Sequence, residues 1–282
     1  MEDQSAVKGH AIFRQTHLVE IEKLPDPRVL LVETDWGALD TAFAARDEDH
    51  PFGAVLSTRA ALGALTSGGR DAVTRALDHL SDVVLHQECL YGETGAAAVY
   101  VAALLADHDS QEALAPAWEA GRRPLRAKLL NWLAAVAHTV SDVMEEQWKE
   151  WDGSLASSPV FQEVRALRPA LFRAVSACIA DPDPAVREAA LAASIPLLDA
   201  PELFHDRAAL IPVLRRELAA SPEQGHRLVA IFGLRAWGED TTALAAHAEL
   251  IEHERREEEW RQRQSARLRG ESREPAFDEP PF

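Results

Sequence analysis

The run Asp181-Pro182-Asp183-Pro184-Ala185-Val186-Arg187-Glu188-Ala189-Ala190 decides how this 282-residue chain is read. A helix carrying Pro169, Leu171, Phe172 and Val175 ends at the two Asp-Pro pairs, because proline cannot continue a helix it follows. A second helix then starts, with Val186, Arg187, Ala189, Ala190, Ala193 and Leu197. The design recurs downstream. A helix with Leu210, Pro212, Val213, Leu214 and Leu218 ends at Ser221-Pro222, and its partner carries Arg227, Ala230, Gly233, Leu234 and Trp237. Arg187 and Arg227, Ala190 and Ala230, and Ala193 and Gly233 are each 40 residues apart. Pro169 and Pro212 differ by 43, and Pro184 and Pro222 by 38. Two helices per period of this length are the mark of a helical solenoid, and small residues recur where paired helices would touch.

The run 181–190 resembles the inter-helix turn of HEAT repeats. The resemblance implies an aspartate in the turn facing an arginine early in the second helix, tying successive repeats together. The second turn, Ser221-Pro222-Glu223-Gln224-Gly225, departs from that pattern. In the first half, Trp36-Gly37-Ala38-Leu39, His86-Gln87 and Tyr91, followed by a small-residue helix with Ala98-Val99, resemble a group of HEAT-like proteins of high-GC bacteria. The two resemblances cover residues 35–240 and imply a fold, an all-α, HEAT-like α-solenoid (a right-handed superhelix of antiparallel helix pairs), without an activity. Arginine outnumbers lysine 25 to 4, which fits a high-GC coding bias.

Working outward, residues 1–34 read as a lead-in. Val29 to Val32 suits a short strand or extended segment after Pro25 and Pro27. Thr34 or Asp35 caps a helix with Trp36, Leu39 and Phe43 on one face. An apolar helix runs from Pro51 to Leu65, closed by Ser67-Gly68-Gly69, and another carries Val73, Ala76, Leu77, Leu80, Val83 and Val84. Gly92 to Ala106 has no polar face, which predicts a helix buried between neighbours. From Pro124 one long stripe follows: Leu125, Leu129, Trp132, Val136, Val140, Val143, and on to Trp148 and Trp151. The solenoid is expected over 35–250, clearest over 159–238. Beyond it, 251–282 reads as a charged helical extension and a disordered tail. The extension pairs Glu252/Arg256, Glu257/Arg261 and Glu259/Arg263, while Leu244 and Ile251 pack on the last repeat. The tail holds Pro275, Pro280, Pro281 and Phe282.

The formal net charge is -17, which argues against nucleic acid and against an anionic membrane surface, and allows a basic protein partner. Two cysteines, Cys89 and Cys178, do not form a disulfide framework. The acidic, polar stretch Met1–Val7 lacks a signal-peptide pattern, and the apolar run Ala96–Ala106 is too short to span a bilayer. The expected compartment is the cytoplasm.

Three groups of residues are weighed for chemistry. His79, Asp82 and His86 fall at i, i+3 and i+7, a spacing that places imidazoles and a carboxylate on one helical face, yet such sets recur by chance and no metal is expected. His86, Gln87 and Tyr91 form a structural polar network, with a bond to Thr94 implied by the resemblance, or a ligand site. Cys89 and Cys178 read as core or inert thiols without a paired base, and Trp132, Trp148 and Trp237 as core residues; Trp118 and Trp151 are less determined. Only one His-Glu dipeptide occurs, His253-Glu254, so a di-iron repeat enzyme is not expected, nor is a DNA glycosylase, which needs a basic groove. No phosphate loop, nucleophile elbow or zinc spacing is present.

The expected function is therefore a non-catalytic scaffold or adaptor that binds a protein, without a cofactor. The partner-facing residues are Arg187, Glu188, His226, Arg235 and Trp260, with Arg187 also suited to the turn. An immunity-type protein that neutralises a basic toxin is the alternative, and an enzyme or small-molecule binder using the His86 region is a further one.

Overall fold

The structure is a computed structural model and describes residues 24–42, 56–107, 110, 114, 117–118, 123–151, 155–244 and 247–268. The described residues are all-α apart from a minimal ladder of β1 (Ala117–Trp118) and β2 (Arg123–Pro124). That ladder is shorter than any alternation pattern, so hydropathy does not announce it. The chain divides into two compact units, 1–208 and 209–282.

The first unit opens with α1 (Pro27–Glu33). The Asp26 carboxylate accepts the Arg28 N–H at 2.7 Å, and Pro27 sits in the first turn. The strand expected at Val29–Val32 is thus a helix: Asp-Pro starts helices as readily as it stops them. The helix expected around Trp36 is a single 3-10 turn, Trp36–Ala38, after which Leu39 is extended. The Trp36 indole donates to the Leu31 carbonyl at 3.2 Å. Phe43 and the helix start expected at Pro51 lie outside the described residues, as does the tail from Gly270.

Two short helices follow, α2 (Thr58–Ser67) and α3 (Arg70–His79), which pack on each other. Next, α4 (Gly92–Ala106) has every residue from Glu93 to Leu105 buried. Its uniform run of alanine, valine and leucine leaves no solvent face, so neighbours cover it on all sides. Those neighbours are α1, α2, α5 (Leu125–Thr139), α7 (Pro159–Ala166) and α8 (Arg168–Ser176).

The long stripe from Pro124 does not form one helix. It stops at Val140, and α6 (Asp142–Trp151) starts afresh. Ser141 causes the break by capping the new helix, its hydroxyl accepting the Met144 N–H at 3.1 Å. Buried Arg168 donates to the Val140 carbonyl freed at the end of α5 (3.4 Å), and Arg165 holds Asp142 at 2.6 Å. Past the break the stripe turns outward: Val143 is 45% exposed and Trp148 39%, so Trp148 is not a core residue. The side chains of Trp118 and Trp151 lie outside the described residues.

α8 packs against α9 (Pro184–Leu197). In addition α8 lies beside α4, and α9 lies beside α5. The alanines of α9, nearly all buried, let α5 approach closely. Arg126 of α5 pairs with Asp181 at 2.6 Å.

Helix α10 (Phe204–Arg216) begins in the first unit and ends in the second. The second unit continues with α11 (Gln224–Ala236) and α12 (His247–Leu268). Its core joins Ile231 and Leu250, with Leu228 and Leu244 against them. Leu244 packs as expected, but Ile251 is 54% exposed and Leu250 takes its place. On the charged face of α12, Arg256 meets Glu252 at 3.0 Å as the spacing predicts, whereas Arg261 meets Glu258 at 3.0 Å. No helix among the described residues is long and apolar enough to cross a membrane.

Candidate functional site

The site grows out of the end of α3. The helix widens into a π turn, Leu80–Val84, closed by the Leu85 N–H on the Leu80 carbonyl at 3.1 Å. The indole of Trp132, from α5, donates to that same carbonyl at 2.9 Å. A carbonyl oxygen has two lone pairs, so both bonds are satisfied. A 3-10 turn, His86–Glu88, follows, with Gln87 at φ 50° and Glu88 at φ 57°. Two successive non-glycine residues in the left-handed region are uncommon and are held only when their surroundings over-determine them.

The surroundings here are specific. The Thr94 hydroxyl donates to the Val84 carbonyl (2.6 Å) and accepts the Tyr91 N–H (2.9 Å). Asp40 receives the start of α4, its carboxylate accepting the Gly92 N–H at 2.9 Å and its carbonyl the Glu93 N–H at 3.1 Å. A side chain at residue 92 would meet Asp40, since its Cβ would lie 2.2 Å from the carboxylate oxygen and 3.1 Å from the backbone nitrogen. That close approach explains the glycine.

Between this segment and α5 lies a groove of about 560 Å³, within the range of ligand-sized cavities. Leu77, Leu80, Leu85, Trp132 and Ala135 supply its apolar surface. Its polar rim comes from Asp78, Ser81, Gln87, Glu88 and Asn131, with Thr74 and Lys128. Lys128 has an interaction within the chain. Asp78 and Glu88, among the described residues, have neither a hydrogen-bond nor an ion-pair partner.

One residue before the π turn, His79 is buried. Its Nε2 lies 2.7 Å from the Thr58 hydroxyl, which in turn donates to buried Glu93. When Glu93 is ionised and takes the hydroxyl hydrogen, the imidazole is the donor to Thr58. Burial lowers the His79 pKa to about 4. Burial raises that of Glu93 to about 7, against the hydrogen bond from Thr58 and with help from the Asp40 charge. Sequence reasoning missed Thr58 and Glu93. Glu93 stands beside Thr94 in an otherwise apolar run, and a carboxylate at the start of a helix without a polar face is the signal that marks it.

The face expected to unite His79, Asp82 and His86 does not exist. The π turn takes more residues per turn and Leu85 leaves the helix (φ -135°, ψ 53°), so the register is lost: His79 is buried in the core, Asp82 is exposed and His86 is half-buried. Among the described residues, no group of three metal-ligating side chains is present. Gln87 is exposed on the groove and Tyr91 is half-buried at the start of α4. Cys178 is a core thiol whose pKa burial raises, but Cys89 is exposed.

The expected partner-facing residues fall on both units. Arg187 and Glu188 belong to the first, and His226, Arg235 and Trp260 to the second. Arg187 serves the turn, donating to the carbonyls of Asp181 (2.8 Å) and Pro182 (2.9 Å). Arg235 pairs with Glu254 at 2.5 Å. Glu188, His226 and Trp260 each have interactions within the chain, and Trp260 is half-buried, as is Trp237. Replacing Arg187 by alanine strands two carbonyls near the end of the preceding helix. The expected loss is about 1–2 kcal/mol in urea unfolding, with Arg187→Lys intermediate. An unchanged midpoint would mean that water serves those carbonyls equally well.

No family model matches this chain, and no curated protein or solved structure matches it.

Proposed function

We propose that this chain is a non-catalytic, HEAT-like α-solenoid scaffold that binds a basic protein. The carrying observation is the recurrence of one turn chemistry 40 residues apart in unlike sequences. The Arg187 guanidinium donates to the Asp181 carbonyl and that of Arg227 to the Ser221 carbonyl (2.7 Å), six residues back in each case. Each arginine also ends a chain of ties to a neighbouring helix. Asp181 holds Arg126 of α5, and Arg227 grips both oxygens of Glu249 in α12. The order of neighbours in the first unit supports the same reading: α4 beside α8, and α5 beside α9, as stacked helix pairs require. Repeats of this kind bind through extended surfaces, and the net charge of -17 favours a basic partner. The acidity also favours a narrower form of the proposal, an immunity-type protein that neutralises a basic toxin.

The test is affinity capture from host lysate at low salt and at roughly 0.5 M salt, where the Debye length falls to a few ångströms. Any captured protein is then purified and titrated back by calorimetry. A basic protein binding with defined stoichiometry, and more weakly at high salt, is the expected result. If no protein binds stoichiometrically at either salt, the scaffold reading fails.

A further inference from the structure

We infer that the groove beneath the π turn is an anchor site for a basic, apolar-flanked segment of a partner protein. This rests on the protein-binding reading and goes further, because it names the place and the chemistry.

The argument starts from which charges are already used. Elsewhere among the described residues of the first unit, four carboxylates have arginine partners and others cap backbone N–H groups, as Asp26 and Asp40 do. Asp142 and Glu145 meet Arg165, Asp181 meets Arg126, and Asp199 meets Arg207. The two carboxylates of the groove do not follow that pattern. Asp78, on the last turn of α3, and Glu88, in the left-handed turn, are exposed and, among the described residues, unpartnered. The groove's own cation, Lys128, is engaged within the chain. What remains on offer is negative charge above an apolar floor of half-buried Leu77 and Ala135, backed by buried Leu80, Leu85 and the Trp132 ring.

That combination selects its occupant. A guanidinium or ammonium group satisfies the carboxylates, and its aliphatic stem, together with an adjacent apolar side chain, covers the floor. An acidic or purely apolar segment would leave the carboxylates repelled or dehydrated. The positive φ values at Gln87 and Glu88 fix the direction in which the rim is presented, so little ordering is left for binding to accomplish. A volume of about 560 Å³ suits a few side chains rather than a whole domain face.

The test uses the full chain and two short synthetic peptides, one containing Arg-Leu-Phe-Arg and the other Glu-Leu-Phe-Glu. Binding is followed by fluorescence polarisation and by the indole N–H signal of Trp132, assigned among the seven tryptophans with Trp132→Phe. The Arg peptide is expected to bind, to move the Trp132 signal, and to weaken about tenfold in Asp78→Asn/Glu88→Gln, the scale of two exposed ion pairs. The Glu peptide is expected not to bind. Both substitutions are at exposed positions, so the fold is retained and can be checked by circular dichroism. If the Arg peptide binds with Trp132 unmoved and the double variant unchanged, the groove assignment is overturned while protein binding stands. Arginine amide binding as tightly as the peptide would make this a small-amine site and overturn the inference as well. Absence of peptide binding also overturns it, and the stoichiometric titration of a captured partner decides the protein-binding reading separately.

Discussion

Trp132→Ala will lower the unfolding free energy of the first unit by about 3–5 kcal/mol, the cost of removing a large buried side chain. Trp132 is 6% exposed, and Leu129, Leu130, Leu133 and Val136 around it on α5 are fully buried. The cavity left by the indole cannot be filled without moving α3 or α5. Truncation also removes the N–H that serves the Leu80 carbonyl in the π turn. Trp132→Phe separates the two effects. It keeps an aromatic ring and loses the hydrogen bond, while the Leu85 N–H still serves Leu80. The expected cost is about 1 kcal/mol. Urea titrations read by far-ultraviolet circular dichroism supply both numbers. A loss under about 1 kcal/mol for the alanine variant would mean that α3 and α5 close over the gap, and that the groove is deformable.

The second large effect depends on pH and comes from Glu93. Its carboxyl titrates at about 7 in the folded chain, against 4.5 when unperturbed. Between those values the folded state holds the proton that the unfolded state has released, so stability falls as pH rises from 4.5 to 7 and levels off above. His79 works in the opposite sense. Its pKa falls from 6.5 to about 4, so the folded state resists protonation and stability rises with pH from about 4 to 6.5. In the wild type the two slopes oppose each other over most of that window. Glu93→Gln removes one and leaves the other. Relative to wild type, the variant should gain on the order of 3 kcal/mol between pH 4.5 and pH 7. Chemical denaturation across that range measures the difference directly. A difference that stays constant with pH would show that Glu93 ionises as an ordinary surface carboxyl and that the buried Thr58 bond does not constrain it.

Both effects come from residues that stood differently in the sequence. Trp132 lies on a regular apolar stripe and is legible as a core residue, but its bond to the Leu80 carbonyl depends on a π turn that no spacing rule announces. Glu93 could be noticed as a carboxylate in an apolar run. Its partners, Thr58 and His79, lie 35 and 14 residues away, and packing of α2, α3 and α4 alone brings them together. The same limit explains the two misread stretches. Around Ser141, periodicity continued across a cap and the cap prevailed, because a satisfied helix start outweighs one exposed valine. At Asp26-Pro27, a short apolar run read as a strand or extended segment, and the Asp26 cap made it a helix instead. Arg187 and Arg235 were reasonable surface residues, but in the fold the first is held by turn carbonyls and the second by a carboxylate of the next helix.

The sequence by itself determined the all-α class, the buried course of Gly92–Ala106, the turn at 181–184 and the acidity, because each is written in local spacing, proline placement or composition. The tertiary structure alone decided which charges are left over. Whether a carboxylate is paired depends on what folds against it, and that is why Asp181 became a tie while Asp78 and Glu88 came to rim a groove.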